Sequence, residues 1–457
     1  MSTEREELYA QHLSGMVKFP TRSYPDDSLV DYSIFEAFHK YLEKTYPLIH
    51  QKFERKVIGR ASLLYTWKTA KPGGKLPLML IAHQDVVPEG DESKWTHPPY
   101  SGEIADGLVW GRGSCDCKGT MLAELEAVEA MIADGFEPEF DVYLGFGHNE
   151  EVQAPTKGAK QIVEYLKSQN VRLGAVFDEG SGVSKGDESG YDGYIVDIRL
   201  GEKGYHDFEL YKDTDGGHSM MPGQGTALGA VARAIVAIEE HPLPYRLTEL
   251  TESWLKALSK AQTGDKALIY ANPREHWNEL INLAKEDKKL DSMLHTTFAT
   301  TMALGSNQSN VLPSHASAIV NVRVLQGDTA ELVEKYIKSI IPEDVQVRHV
   351  IGEGPEPASK PGGQIYNMIS TIEKDFYGDK VLIIPSLLAG GTDAKYYTEI
   401  TDNVFRFTGL EHSEKAGGAH GIDERYDYSK TATSVRFYTE LFHRYQESDK
   451  AEPEGDD

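Results

Sequence analysis

From Leu76 to His83 the chain reads LPLMLIAH, and from Phe140 to Gly147 it reads FDVYLGFG. Each is a short apolar run that ends in a polar residue or turn, the pattern of a strand buried on both faces. Between them lies GTMLAELEAVEAMIADG. Its Met121, Leu122, Leu125, Val128 and Met131 fall on one helical face, and Gly135 offers a stop. A third apolar run, LGAVFDEG, spans Leu173 to Gly180. Strand, helix, strand in this rhythm predicts an α/β domain with a mainly parallel sheet and helices on its faces. Ligands of such sheets collect at the carboxyl ends of the strands.

After about Asp197 the rhythm changes. KGYHDFELYK alternates like a half-exposed strand, TALGAVARAIVAIEE reads as a helix, and HTTFATTMALG and ASAIVNVRVLQ read as two strands. DTAELVEKYIKSII then reads as a helix and DVQVRHVIGEG as a strand. The order β-α-β-β-α-β predicts a small ferredoxin-like α+β domain over residues 199–353, inserted into the first. The stretch from Glu240 to Asp291 adds charged, mostly helical sequence inside it. Residues 1–198 and 354–447 then form the two halves of the parallel-sheet domain. The last ten residues, SDKAEPEGDD (448–457), are acidic, apolar-poor and predicted to be disordered.

A length of 457 residues with 40% hydrophobic and 26% charged is globular and suits two or three domains. Lys and Arg number 47 against 72 Asp and Glu, a net charge of −25. That sign argues against nucleic acid and anionic membranes as partners. The two cysteines, Cys115 and Cys117, are too close in sequence for an unstrained disulfide. Reduced thiols suit the cytosol. MSTEREELYAQHL lacks the apolar segment of a signal peptide, and no apolar run reaches the roughly 18 residues of a membrane span. The expectation is a cytoplasmic protein.

The stretch LGFGHNEEV, Leu144 to Val152, ends a buried strand in two adjacent acids. Other strand ends are polar too. AHQDVVP carries His83 and Asp85, GRGSCDCKG carries Asp116, VFDEG carries Asp178, and the distant GGAHGIDER carries His420. If the strands are neighbours, imidazoles and carboxylates converge on one spot. Crowded carboxylates raise one another's pKa and cost stability. A pair of divalent cations would remove that cost. Two His and three or four carboxylates suit zinc, with cobalt or manganese as alternatives.

LIAHQDVVP, a Trp followed by PPYSGEIADGLVWGRGSCDCKG, GFGHNEEV and DEG stand in one order along the chain. Together with His420 they make it resemble the M20 family of zinc metallopeptidases. The segment from Pro77 to Gly180 most resembles the carboxypeptidase S and N-acyl amino acid hydrolase branch. The resemblance implies that Asp116 bridges two metals, that His83 and Asp178 complete one site, and that Glu151 and His420 complete the other. Asp85 would orient the His83 ring through its second N–H. Glu150 would be the general base. The implied substrates are small peptides or N-acyl amino acids, with dipeptides or aminopeptidase substrates third.

In the second domain GEKGY, GGHSMMPG, SNVLP and VNVRV resemble lid motifs of the same family. His218 would stabilise the oxyanion, across a dimer interface if the lid pairs two chains. Asn310 and Arg323 would contact substrate, Arg323 as a fork for a terminal carboxylate. Lys203 would serve similarly, and Gly391 in AGGTDA would allow close backbone approach. Oligomeric state stays open, with a lean towards a homodimer through the lid. Two cysteines beside the bridging Asp116 depart from the family. They read first as inert loop thiols and second as soft donors that alter metal choice. His12, His39, His50 and His295 read as surface or core histidines, and Trp95 and Pro98 to Tyr100 as a packed loop wall.

Overall fold

A computed structural model describes residues 3–71, 74–152, 156–186 and 190–448. The predicted acidic tail therefore lies outside the described residues from position 449 on. The first domain opens with β1 (Glu54–Ile58), β2 (Ser62–Trp67), β3 (Leu78–His83), β4 (Glu103–Ala105), β5 (Leu108–Trp110), β6 (Val142–Gly147), β7 (Ala175–Lys185) and β8 (Tyr194–Glu202). The second contributes β9 (Gly204–Asp213), β10 (Gly217–His218), β11 (Thr297–Leu304), β12 (Val311–Leu312), β13 (His315–Val324) and β14 (Gln346–Glu353). The chain returns through β15 (Val381–Leu388), β16 (Val404–Glu411) and β17 (Arg425–Asp427).

The large sheet has the order β1-β2-β6-β3-β7-β16-β8-β15. Its pairs β3–β6, β3–β7, β7–β16 and β8–β15 are parallel. Every residue of β3 and of β6 is buried, as their unbroken apolar runs require. The Lys118–Ala133 helix is buried on more than the one face its periodicity marks. Ala123, Glu124, Glu126 and Ala127 are buried as well as the apolar stripe. It lies between β3 and the Thr3–Val17 and Thr431–Glu447 helices, so its far side also faces protein.

The lid sheet has the order β11-β13-β9-β14, with every pair antiparallel. The Ala227–Glu240 and Ala330–Ile340 helices cover one face and share a core with Phe208, Val320, Val322 and Val324. This is the ferredoxin-like arrangement expected from the element order. The helical stretch inside residues 199–353 behaves differently. Its Leu250, Trp254, Leu255, Leu280 and Leu290 belong to the core of the large sheet and not to the lid core. The Glu249–Leu258 helix packs on β15. The insertion thus leaves the lid in sequence but joins the first domain in packing.

Candidate metal centre

β3 ends at His83, β6 leads into the turn of Glu150 and Glu151, and β7 carries Asp178 and Glu179. These strands are neighbours in the order β6-β3-β7, so their carboxyl ends meet. Asp116 comes from the loop before the Lys118–Ala133 helix, and His420 from the turn between β16 and β17. Asp116 Oδ1 lies 3.0 Å from His83 Nε2, and its Oδ2 lies 3.1 Å from His420 Nε2. Glu179 Oε1 lies 3.2 Å from the same His83 nitrogen. Glu151 Oε2 lies 2.8 Å from His420 Nε2. The result is two triads, His83–Asp116–Glu179 and His420–Asp116–Glu151, sharing one carboxylate. Glu150 stands beside them, its Oε2 3.9 Å from His83 Nε2.

Asp178, expected in the cluster, is turned away from it. Its Oδ1 accepts the Glu179 N–H at 2.8 Å and its Oδ2 the Ala394 N–H at 3.0 Å. The cause is a bulge. Asp178 pairs with Arg406, but the next pair is Ser181 with Phe407, so Glu179 and Gly180 are extra on β7. Gly180 has φ +144°, and a Cβ there would stand 2.8 Å from the Arg406 Cβ. The irregularity brings Glu179 to His83, and the sequence reading passed it over.

Asp85 also works differently from the expectation. His83 Nδ1 lies 2.9 Å from the Asp85 backbone carbonyl and 3.6 Å from its carboxylate. The carbonyl therefore accepts the second imidazole N–H and fixes the tautomer. The Asp85 carboxylate accepts the N–H groups of Glu150 and Glu151, both at 3.1 Å, and the Ser23 hydroxyl at 2.5 Å. It holds the two-acid turn in place.

The charges are crowded. Burial pushes Glu150 well above the usual carboxylate range, and Glu179, Asp393 and Glu151 add to it against the pull of His83. Asp178 is raised by burial and then by Glu179 and Asp393. Asp393 is pushed up to about 7 by burial and by Asp85. Bonds to Asp116 and Glu151 raise His420 to about 10. Burial would raise Asp116, but the His420 and His83 rings bonded to it hold it low. Glu151 Oε1 is buried with no hydrogen-bond partner among the described residues. A spare carboxylate oxygen, two imidazoles and a shared aspartate fit a pair of divalent cations.

The cysteines sit beside the centre. Cys117 Sγ accepts the His83 N–H at 3.2 Å, and burial pushes the thiol well up. Burial and Glu424 push Cys115 up to about 12. Cys117 Sγ also lies within ligating distance of the His83 and Glu179 side chains, which keeps its second reading, as a soft donor, in place beside the inert one.

The lid residues divide. Lys203 is 2% exposed, and its ammonium donates to the carbonyls of Ser292 and His295 at 2.9 and 3.0 Å. These close the Lys288–Leu294 helix, so Lys203 is a structural cap and not free to meet substrate. Arg323 is on the lid-sheet face opposite the helices, its guanidinium carbon 4.8 Å from the centre of the Tyr205 ring. His218 ends β10 and Asn310 directly precedes β12, and the Ser219 N–H donates to the Asn310 carbonyl at 3.0 Å. Both are exposed, and the His218 ring accepts the Met220 N–H at 3.1 Å. Gly391 is exposed, and a Cβ there would meet Glu202 at an ordinary 3.6 Å. A cavity of about 800 Å³ lies along β8 and β15, lined among others by Arg199, Trp254, Leu258, Leu388 and Gly390, and no residue of the two triads lines it.

Known proteins resemble this chain in sequence and fold. The profile of peptidase family M20/M25/M40 matches residues 79–444. The chain is 32% identical to a probable carboxypeptidase S-like 2 of Dictyostelium discoideum over 94% of this chain and 84% of that one. It is 30% identical to carboxypeptidase S of Saccharomyces cerevisiae, covering 94% of this chain and 83% of the relative. It is also 30% identical to an N-fatty-acyl-amino acid synthase/hydrolase PM20D1 of Xenopus tropicalis, covering 96% and 86%. In fold it matches an M20 family metallo-carboxypeptidase, Sso-CP2, from Sulfolobus solfataricus, with TM-score 0.69 and 17% identity over 98% of this chain and all of the other. The motifs, the twin triads and these matches together make the chain a member of peptidase family M20/M25/M40, a hydrolase of peptide or amide bonds.

Proposed function

We propose that this protein is a carboxypeptidase acting on small peptides, with His83, Asp116 and Glu179 holding one divalent cation and His420, Asp116 and Glu151 a second. The observation that carries the reading is Asp116, whose two oxygens face two different histidines at 3.0 and 3.1 Å. Zinc is the first choice on the mixed N/O donor set, with cobalt or manganese as alternatives. When bound, such a pair supplies Lewis-acid activation of water and of the scissile carbonyl.

The remaining work falls to side chains. Glu150, buried and with its pKa raised, takes the proton of the attacking water and hands it to the leaving nitrogen. The Asp85 carboxylate keeps Glu150 in reach through its backbone N–H. Arg323 binds the substrate's terminal carboxylate, His218 stabilises the developing oxyanion, and Asn310 and the backbone at Gly391 orient the substrate. His218 and Asn310 act together because Asn310 directly precedes the strand that pairs with His218.

A homodimer through the lid and a cytoplasmic location complete the proposal. β11 is one outer strand of the lid sheet and exposes Met302 and Leu304, and the Ala227–Glu240 helix packed on it exposes Leu228 and Val236. No helix among the described residues is long and apolar enough to cross a membrane. Light scattering tests the dimer, and a monomeric mass rejects it.

Amidohydrolysis of N-acyl amino acids is the second reading, favoured by the PM20D1 relatives. Both substrates present an amide beside a carboxylate. Metal-loaded enzyme is offered Gly-Leu, benzyloxycarbonyl-Gly-Leu and an N-acetyl amino acid. Cleavage of the blocked peptide supports the carboxypeptidase, cleavage of the N-acetyl amino acid alone supports the second reading, and cleavage of Gly-Leu alone rejects both for a dipeptidase.

A further inference from the structure

Glu424 is fully buried, four residues after His420. Its Oε1 accepts the N–H groups of Cys115 and Asp116 at 2.9 and 3.0 Å. Its Oε2 accepts the Gly113 N–H at 3.0 Å and Arg112 Nη1 at 2.7 Å. Four donors on two oxygens saturate the carboxylate, which only accepts, as the ionised form does. Arg112 also donates from Nη2 to the Gly421 carbonyl at 2.8 Å. The Gly111 N–H reaches the Glu424 carbonyl at 2.8 Å. The turn itself is closed by reciprocal bonds between Gly417 and Arg425, at 2.9 and 3.0 Å, with His420 at φ +59°.

One side chain thus fastens the loop of the shared aspartate to the turn of a histidine that is remote from it in sequence. Asp116 and His420 are far apart in sequence, and each is on an irregular segment that no helix or strand would hold by itself. Burying a carboxylate is costly unless it is fully bonded, so this arrangement is retained only with its donors in place.

We infer that Glu424 is a positioning residue: it sets Asp116 and His420 in ligating geometry before any cation arrives, and so governs occupancy of both sites. The inference rests on the two-cation reading above. Because Asp116 is common to both triads, disturbing its loop weakens both ions, whereas losing His420 removes one ligand of one ion.

The test is metal binding by competition with a chromophoric chelator, on Glu424→Gln, Glu424→Asp and His420→Ala beside wild type. Circular dichroism monitors the fold. A folded Glu424→Gln variant is expected to bind both zinc ions about 10–100-fold more weakly, the usual size for groups that orient ligands. Glu424→Asp should recover part of the loss, and His420→Ala should weaken only one ion. Wild-type affinity at both sites in folded Glu424→Gln overturns the inference.

Hydrogen exchange on chelator-stripped wild type supplies a second measurement, independent of whether the variants fold. The amides of Gly113, Cys115 and Asp116 should be protected without metal and little changed by zinc. Free exchange that zinc alone suppresses would mean that the cations, and not Glu424, organise the loop. Wild type that binds no cation while these amides stay protected would reject the two-cation reading and leave the loop's anchorage intact.

Discussion

Glu179, and not its neighbour Asp178, sets a carboxylate oxygen 3.2 Å from Nε2 of His83. Glu179→Gln should therefore lose the ion on the His83 side, while Asp178→Asn should keep both ions at saturating zinc. Metal analysis after gel filtration reads the difference. The reverse pattern would mean that β7 takes a different register when metal binds.

Glu150→Gln separates chemistry from binding. The variant should hold its metal and lose about 10²–10⁴-fold in kcat, the range for a positioned proton-transfer group. Steady-state kinetics on a blocked dipeptide measure it. Activity near wild type would move the general base elsewhere.

Lys203→Met tests the reassignment of that residue. Its ammonium satisfies two buried carbonyls at the end of the insertion, and their loss should cost roughly 1–3 kcal/mol of stability. KM should not change. A raised KM with an unchanged melting midpoint would return Lys203 to the substrate site.

The legible part of this site was the part encoded locally. His83, Glu150 and Glu151 are polar residues at the ends of buried apolar runs, and a parallel sheet brings such ends together. Asp116 and His420 came from motif order. Which acid of Asp178 and Glu179 faces His83 depends on two extra residues in β7 opposite β16, a long-range register that neither segment encodes alone. Lys203 stands in a lid-like motif, but its partners are at Ser292 and His295, beyond the reach of local pattern. The Asp85 carboxylate was placed in the right neighbourhood with the wrong partner, because its backbone carbonyl takes the imidazole. The inserted helices read as lid by position, yet Trp254 and Leu255 bury themselves in the first domain's core.

Protonation gives the metal-free protein a characteristic pH response. His420 is raised to about 10 by Asp116 and Glu151, and Glu150, Asp178 and Glu179 are raised chiefly by burial. At these four groups the folded state thus binds more protons than the unfolded one, whereas Lys118 and Lys203, both lowered to about 7 by burial, act with the opposite sign. The stability His420 contributes is whole below the ordinary histidine pKa of about 6.5 and is lost as pH climbs to about 10. The three acids act with the same sign. The stability lost on His420→Ala in stripped protein should therefore shrink from neutral pH upward, and zinc uptake should release protons. Calorimetry in buffers of different ionisation enthalpy checks both, and a His420 contribution that grows with pH across this window would contradict the assignment.

The most direct measurement is an anomalous difference map at the zinc absorption edge, from crystals grown with zinc. The account predicts two peaks on either side of Asp116, one among His83, Asp116 and Glu179 and the other among His420, Asp116 and Glu151. A single peak, or peaks that leave Asp116 uncoordinated, would contradict it.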